Sequence, residues 1–303
     1  MKKYTFLLFF FWLSVSVFAQ GQDSYLWLSG KNAGYSETNQ INVEGIIGVK
    51  NCYVRDMPST AGKLIDSLQL GKKITVLSKT EKTQKLKGID MNWVEIQYQL
   101  PNRDIRKGYL WLGFLALDYK ETNGLKFLTV LERINAKKEE DYVSQEHVIA
   151  VKVLDENNLV LDSKEIKKPI SESYYYQQSL LGNQGLKNIQ ELYRISFSGE
   201  ACGIPTYFFY FGWTGKKLLL LPEKMNVGDA GVYYHSENFI FPKEPGGKPD
   251  YIYKIIEEAE AIDSENNEDY MMREKVWKET YSWDGEKASL LKKVQLKEGI
   301  IKQ

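Results

Sequence analysis

From about residue 45 onward, apolar and polar side chains alternate with a period of two far more often than with a period near 3.6. Asn92-Trp93-Val94-Glu95-Ile96-Gln97-Tyr98 alternates as a half-buried strand does, and Lys63-Leu64-Ile65-Asp66-Ser67-Leu68 follows the same pattern. Ile74-Thr75-Val76-Leu77 is a β-branched run entered through the turn Gly71-Lys72-Lys73. Strands are also predicted at 45–49, at 52–55 before a break at Met57-Pro58-Ser59-Thr60, and at 108–112. Two polar stretches, 79–90 and 101–107, are predicted as a charged hairpin tip and a long loop.

Further along, strands are predicted at 147–154, 159–166, 189–197, 206–213, 217–221, 251–257, 275–283 and 288–296, separated by turn residues such as Asp155-Glu156-Asn157-Asn158. The fold class that follows is mainly β. A five-stranded unit of about 70 residues must hide its edges, and a small closed barrel over 45–118 does so. A second all-β domain, a sandwich or a partial propeller-like array, is expected over 147–303. Residues 20–44, polar apart from an aromatic knot at 25–28, are expected as a flexible leader able to add an edge strand. Residues 119–146 are expected as a linker, with a strand or short helix at 125–134 and a solvated charge run at 137–141.

One internal echo stands out. Trp213-Thr214-Gly215 and Trp283-Asp284-Gly285 each follow an aromatic strand and precede an apolar one. Gly accepts the positive φ of a tight hairpin turn, so two hairpins using the same turn are expected rather than a duplicated strand unit.

The N-terminus reads as a cleavable signal peptide. Lys2 and Lys3 form a positive start, an apolar run covers 6–18, and Val17 and Ala19 stand at the −3 and −1 positions of a cleavage site before Gln20. The apolar run is shorter than the ~20 residues of a spanning helix. Export to the periplasm or the exterior is therefore expected, with no transmembrane segment in the mature chain. The full sequence balances 40 basic against 40 acidic side chains, and loss of Lys2 and Lys3 leaves a net charge of −2. Such a balance offers no general attraction for nucleic acid. Cys52 and Cys202 are expected as two buried free thiols, a disulfide being the alternative in an oxidising compartment.

Residues 45–118 carry Tyr53-Val54-Arg55-Asp56-Met57-Pro58-Ser59-Thr60, then Leu68-Gln69-Leu70-Gly71, Ile74-Thr75-Val76-Leu77, Trp93-Val94-Glu95-Ile96 and Gly108-Tyr109-Leu110. In order and spacing this segment resembles the bacterial SH3-like domain of exported cell-envelope proteins. Tyr109 stands where that family usually has Trp, and the loops at 78–91 and 98–107 are long. The resemblance covers about a quarter of the chain and implies a binding role, with peptidoglycan, a peptide or an envelope protein as ligand, gripped by aromatic faces and polar loop groups. Tyr53, Tyr109, Trp111 and Arg55 are the candidate ligand-binding residues. Arg55 has an alternative role in holding a turn, and Trp93 is expected in the core.

Catalytic constellations are sparse. Cys202 and His235 occur in the order of a papain-like pair, but 206–211 reads as a strand, and such a nucleophile needs a helix N-terminus to lower its thiol pKa. With only His147 and His235 present, little supports a zinc site or a serine-type triad. Asp263, Glu265, Asn267, Asp269 and Glu274 match a calcium-loop spacing, but Glu268 stands where that loop needs Gly, so a solvated acidic loop is expected. The expected function is thus non-catalytic binding at the cell envelope, with no cofactor and no metal. A cell-wall hydrolase and a structural component are the alternatives.

Overall fold

The structure, a computed structural model, describes residues 23–29, 31, 40–138, 143–170, 172–262 and 271–302. The signal-peptide expectation, part of the charge run at 137–141 and most of the calcium-like spacing lie outside the described residues. Among those described, no helix is long and apolar enough to cross a membrane. The described residues are almost wholly β, as the alternation predicts, and form three antiparallel sheets.

The first sheet contains β1 (Gln40–Ile46), β2 (Asn51–Arg55), β3 (Leu64–Gln69), β4 (Lys73–Leu86), β5 (Ile89–Gln99) and β6 (Ile105–Trp111), in the order β1-β4-β5-β6-β2-β3. β1 and β3 each have one neighbour, so the expected barrel is not closed. The predicted hairpin tip at 79–90 is instead the continuation of β4 and β5 into a long ladder ending at Leu86↔Ile89. The segment expected as a flexible leader also contributes. Its short helix α1 (Asp23–Ser29) places Leu26 and Trp27 in the same core as Val76, Trp111 and Leu115.

The second sheet runs through the expected linker and bears out the strand alternative at 125–134. It comprises β7 (Asp118–Thr122), β8 (Leu125–Lys138), β9 (Val143–Leu154) and β10 (Val160–Lys168), in the order β10-β9-β8-β7. A strand is required because β8 is buried on both faces: Phe127 and Leu131 enter the main core, while Leu128 and Val130 pack with Ile46, Ala116 and Leu154. Such a two-sided strand loses the period-two signal. Asn123 and Gly124, both at positive φ, form the tight turn into it.

The third sheet holds β11 (Tyr175–Leu180), β12 (Glu191–Ser198), β13 (Thr206–Trp213), β14 (Leu218–Leu220), β15 (Lys224–Asp229), β16 (Tyr233–Ile240), β17 (Tyr251–Ala261), β18 (Met271–Trp283) and β19 (Ala288–Lys302). One face of β12–β13 packs on the second sheet as a sandwich. The Phe127 and Tyr193 rings lie 5.4 Å apart, and the Thr129 and Tyr193 hydroxyls are 3.0 Å apart. On the opposite side the sheet curls. Leu192 and Tyr210 share a second core with Phe241, Ile252 and Trp283. The two echoed turns both place Gly at positive φ, and Lys217 pairs with Glu286 at 2.9 Å, so these hairpins end side by side.

His147, on β9, is only 1% exposed, and its Nδ1 has no hydrogen-bond partner. Burial lowers its pKa to about 4, opposed weakly by a hydrogen bond to the Gln145 backbone. The unfolded chain, with an ordinary value of 6.5 at this site, therefore binds more protons between these two values. Stability present above pH 6.5 is expected to fall as pH drops towards 4, by up to about 3 kcal/mol from this site. Denaturant titrations over that range check this, and His147→Leu is expected to flatten the acid limb.

Candidate functional site: the outer face of the first sheet

Along β2, Cys52 and Val54 point into the core at 0% exposure, whereas Tyr53 between them is 47% exposed. Cross-strand pairing builds the rest of this outer face. Ser67 lies opposite Tyr53, Leu64 opposite Arg55, Tyr109 opposite Arg55 on the other side, and Glu95 opposite Tyr109. Alternation places Ile105 and Lys107 on the same face of β6 as Tyr109. Lys107 Nζ is 4.0 Å from Glu95 Oε1, and Ser78 Oγ donates to Glu95 Oε2 at 3.4 Å. Leu64 and Ile105 are 50% and 68% exposed. The surface therefore combines the exposed Tyr53, the half-buried Tyr109, two exposed aliphatic side chains and a charged margin.

Of the four sequence candidates, the structure brings Tyr53, Arg55 and Tyr109 together. Arg55 Nη1 donates to the Gly62 carbonyl at 2.6 Å, while Asp56 Oδ1 accepts from the Lys63 N–H at 2.8 Å. Arg55 thus holds the turn at the edge of this face. Trp111 does not belong to the site. It is 0% exposed and donates its Nε1–H to the Gln84 carbonyl at 2.9 Å. The alternation that puts Tyr109 outside also puts Trp111 on that face, but the extended β4–β5 hairpin folds across it. Gln84 Oε1 accepts from Trp93 Nε1 at 3.0 Å, so both indoles lie beneath this hairpin. Leu64 and Ile105 were missed because each sits beside a polar loop, and their one sequence signal is their parity with Arg55 and Tyr109.

The thiols are unpaired, Cys52 buried and Cys202 exposed, which corrects the expectation that both are buried. Burial pushes the Cys52 thiol up to about 12. His235 faces carboxylates with both ring nitrogens, Nε2 at 3.2 Å from Glu237 and Nδ1 at 3.5 Å from Glu258. Beside it, Lys254 Nζ lies 3.2 Å from both Glu237 and Glu279. Burial acts to raise the Glu279 carboxyl, but the Tyr281 hydroxyl, donating at 2.6 Å, together with Lys254 and Lys293 holds it below its ordinary range. An open cleft of about 410 Å³ at the β7–β8 turn is lined by Glu121, Asn123, Lys126 and Glu156 among others, with neither Cys nor His. No protein-family model and no curated protein matches this chain.

Proposed function

We propose that the protein is a non-catalytic binding protein exported to the cell envelope, where the outer face of its first sheet grips an extended ligand, peptidoglycan in the first instance. The observation that carries this proposal is the partly apolar surface formed by the exposed Tyr53, Leu64 and Ile105 around the half-buried Tyr109. Exposed aromatic and aliphatic groups beside fixed polar ones suit a sugar or peptide strand laid across a sheet. Export is supported by the charge, apolar run and small residues at the N-terminus, and an envelope ligand by the resemblance over 45–118. A binding rather than a catalytic role is supported by the strand β13 that follows the exposed Cys202, where a papain-like nucleophile needs a helix N-terminus.

Co-sedimentation with purified insoluble peptidoglycan tests the proposal. The protein is expected to pellet, and Tyr53→Ala/Ile105→Ser to weaken binding by about tenfold, the effect of losing one good anchor. Both side chains are exposed, so the variant should keep wild-type stability. A protein that stays in the supernatant excludes peptidoglycan as the ligand. Pelleting unaffected by the substitutions removes this face as the site.

A further inference from the structure

We propose that Arg194 and Lys224, on the curled face of the third sheet, form a binding site for an oxyanion, a carboxylate or a phosphate, carried on an apolar or planar group. Cross-strand partners share a face. Ser179, Arg194 and Tyr210 lie opposite one another across β11, β12 and β13, and Ser196, Phe208 and Lys224 do so across β12, β13 and β15. Their opposite side is the core packed on the second sheet. Here the surface is instead polar and lies next to the second core, to which Tyr210 and Phe208 belong.

Both cations converge on one ring. Arg194 Cζ is 5.9 Å and Lys224 Nζ 4.5 Å from the centre of Phe208. The oxygens that accept from them are neutral. Arg194 Nη2 donates to Ser179 Oγ at 3.1 Å, and Lys224 Nζ donates to the Glu237 carbonyl at 2.9 Å and to Asn238 Oδ1 at 3.4 Å. Among the described residues neither cation has a carboxylate at ion-pair distance. The Glu237 carboxylate, which acts on Lys224 from farther off, is committed to the Met225 N–H at 2.9 Å, to Lys254 and to His235.

Two like charges held over one ring without an acid between them are costly unless an anion joins them. Burial first, and then the Arg194 charge, depresses the Lys224 pKa, as expected where positive charge is uncompensated. An arriving oxyanion meets a planar guanidinium fork, a point charge and the hydroxyls of Ser179 and Tyr210, a donor set suited to carboxylate or phosphate. The Phe208 ring beneath supplies an apolar floor for the group that carries it.

The probes are inorganic phosphate and acetate, titrated separately into the protein at constant ionic strength and followed by amide chemical shifts and thermal midpoint. At least one is expected to bind saturably and raise the midpoint, and the stronger of the two identifies the class of oxyanion. Arg194→Gln and Lys224→Met are each expected to weaken that binding by about tenfold or more, the effect of losing a charged hydrogen bond. Lys292→Met, on β19 and four strands along the sheet from Lys224 on β15, serves as the control for general charge and should leave binding unchanged. Because the two substitutions lie on different strands, a folding defect in one leaves the other as the test. The absence of saturable binding by both anions, binding retained in both variants, or equal loss in the Lys292 control would overturn the proposal.

Discussion

Replacing Lys254 by methionine is expected to lower the unfolding free energy by roughly 3–5 kcal/mol, the cost of stranding a buried charge. Lys254 is 8% exposed and stands between Glu237 and Glu279, which are 9% and 8% exposed. Its ammonium lies 3.2 Å from an oxygen of each. The variant leaves two carboxylates in a site from which water is largely excluded. Lys293 reaches Glu279 only at 3.6 Å and from a half-exposed position. Neutralising both partners in Lys254→Met/Glu237→Gln/Glu279→Gln should recover most of the loss, because the penalty comes from unpaired charge rather than from the missing pair.

The pH dependence separates this account from simple loss of packing. In the wild-type protein the Glu279 carboxyl is depressed below its ordinary 4.5, so its stabilisation is present above that value and lost as pH falls through the folded value. In the variant the Glu279 carboxylate loses the Lys254 charge that helps hold its pKa down, so that pKa rises. The stability gap between wild type and variant should therefore narrow as pH falls towards 4. Chemical denaturation at pH 7 and pH 4 checks this. A gap that stays constant would mean that the ammonium acts only as a filler.

How much of this molecule was legible beforehand depended on whether one face of a strand meets water. Where it does, as in β2 and β5, alternation makes the strand legible, and Tyr53 stands exposed between the buried Cys52 and Val54. Where both faces are buried, as in β8, the alternation vanishes, and the sequence leaves strand and short helix open over 125–134. Trp111 shows a different limit. Its parity matches that of Tyr109, but a hairpin from elsewhere in the chain covers it, and no local signal announces such a cover. Arg194 and Lys224 are 30 residues apart and meet only through the ladders on either side of β13, so their convergence on Phe208 exists only in three dimensions. The echoed Trp-x-Gly turns were legible as turns because their chemistry is local. Thr214 Oγ1 and Asp284 Oδ1 each accept from the backbone N–H groups two and three residues on.

The aromatic knot at 25–28 was the least legible feature, and it carries the second large expectation. Trp27→Ala should cost about 3–5 kcal/mol, the range for deleting a fully buried large aromatic side chain. Trp27 is 0% exposed and donates its indole N–H to the Ala116 carbonyl at 2.9 Å. A seven-residue helix has little stability of its own in water, so α1 keeps its place through such contacts. Those contacts reach two sheets. Ser24 Oγ donates to Asn92 Oδ1 on β5 at 2.9 Å, and the Tyr176 N–H of β11 donates to Ser29 Oγ at 3.1 Å. Loss of the indole should release the whole strap, exposing the Tyr176 amide to hydrogen exchange and letting the first sheet open before the third. Unfolding followed by two probes, one in each sheet, should then show transitions that no longer coincide. Trp27→Phe, which keeps most of the packing but leaves the Ala116 carbonyl without its donor, should cost only about 1–3 kcal/mol. A loss below about 1 kcal/mol for Trp27→Ala, with the Tyr176 amide still protected, would show that the sheets hold together without α1.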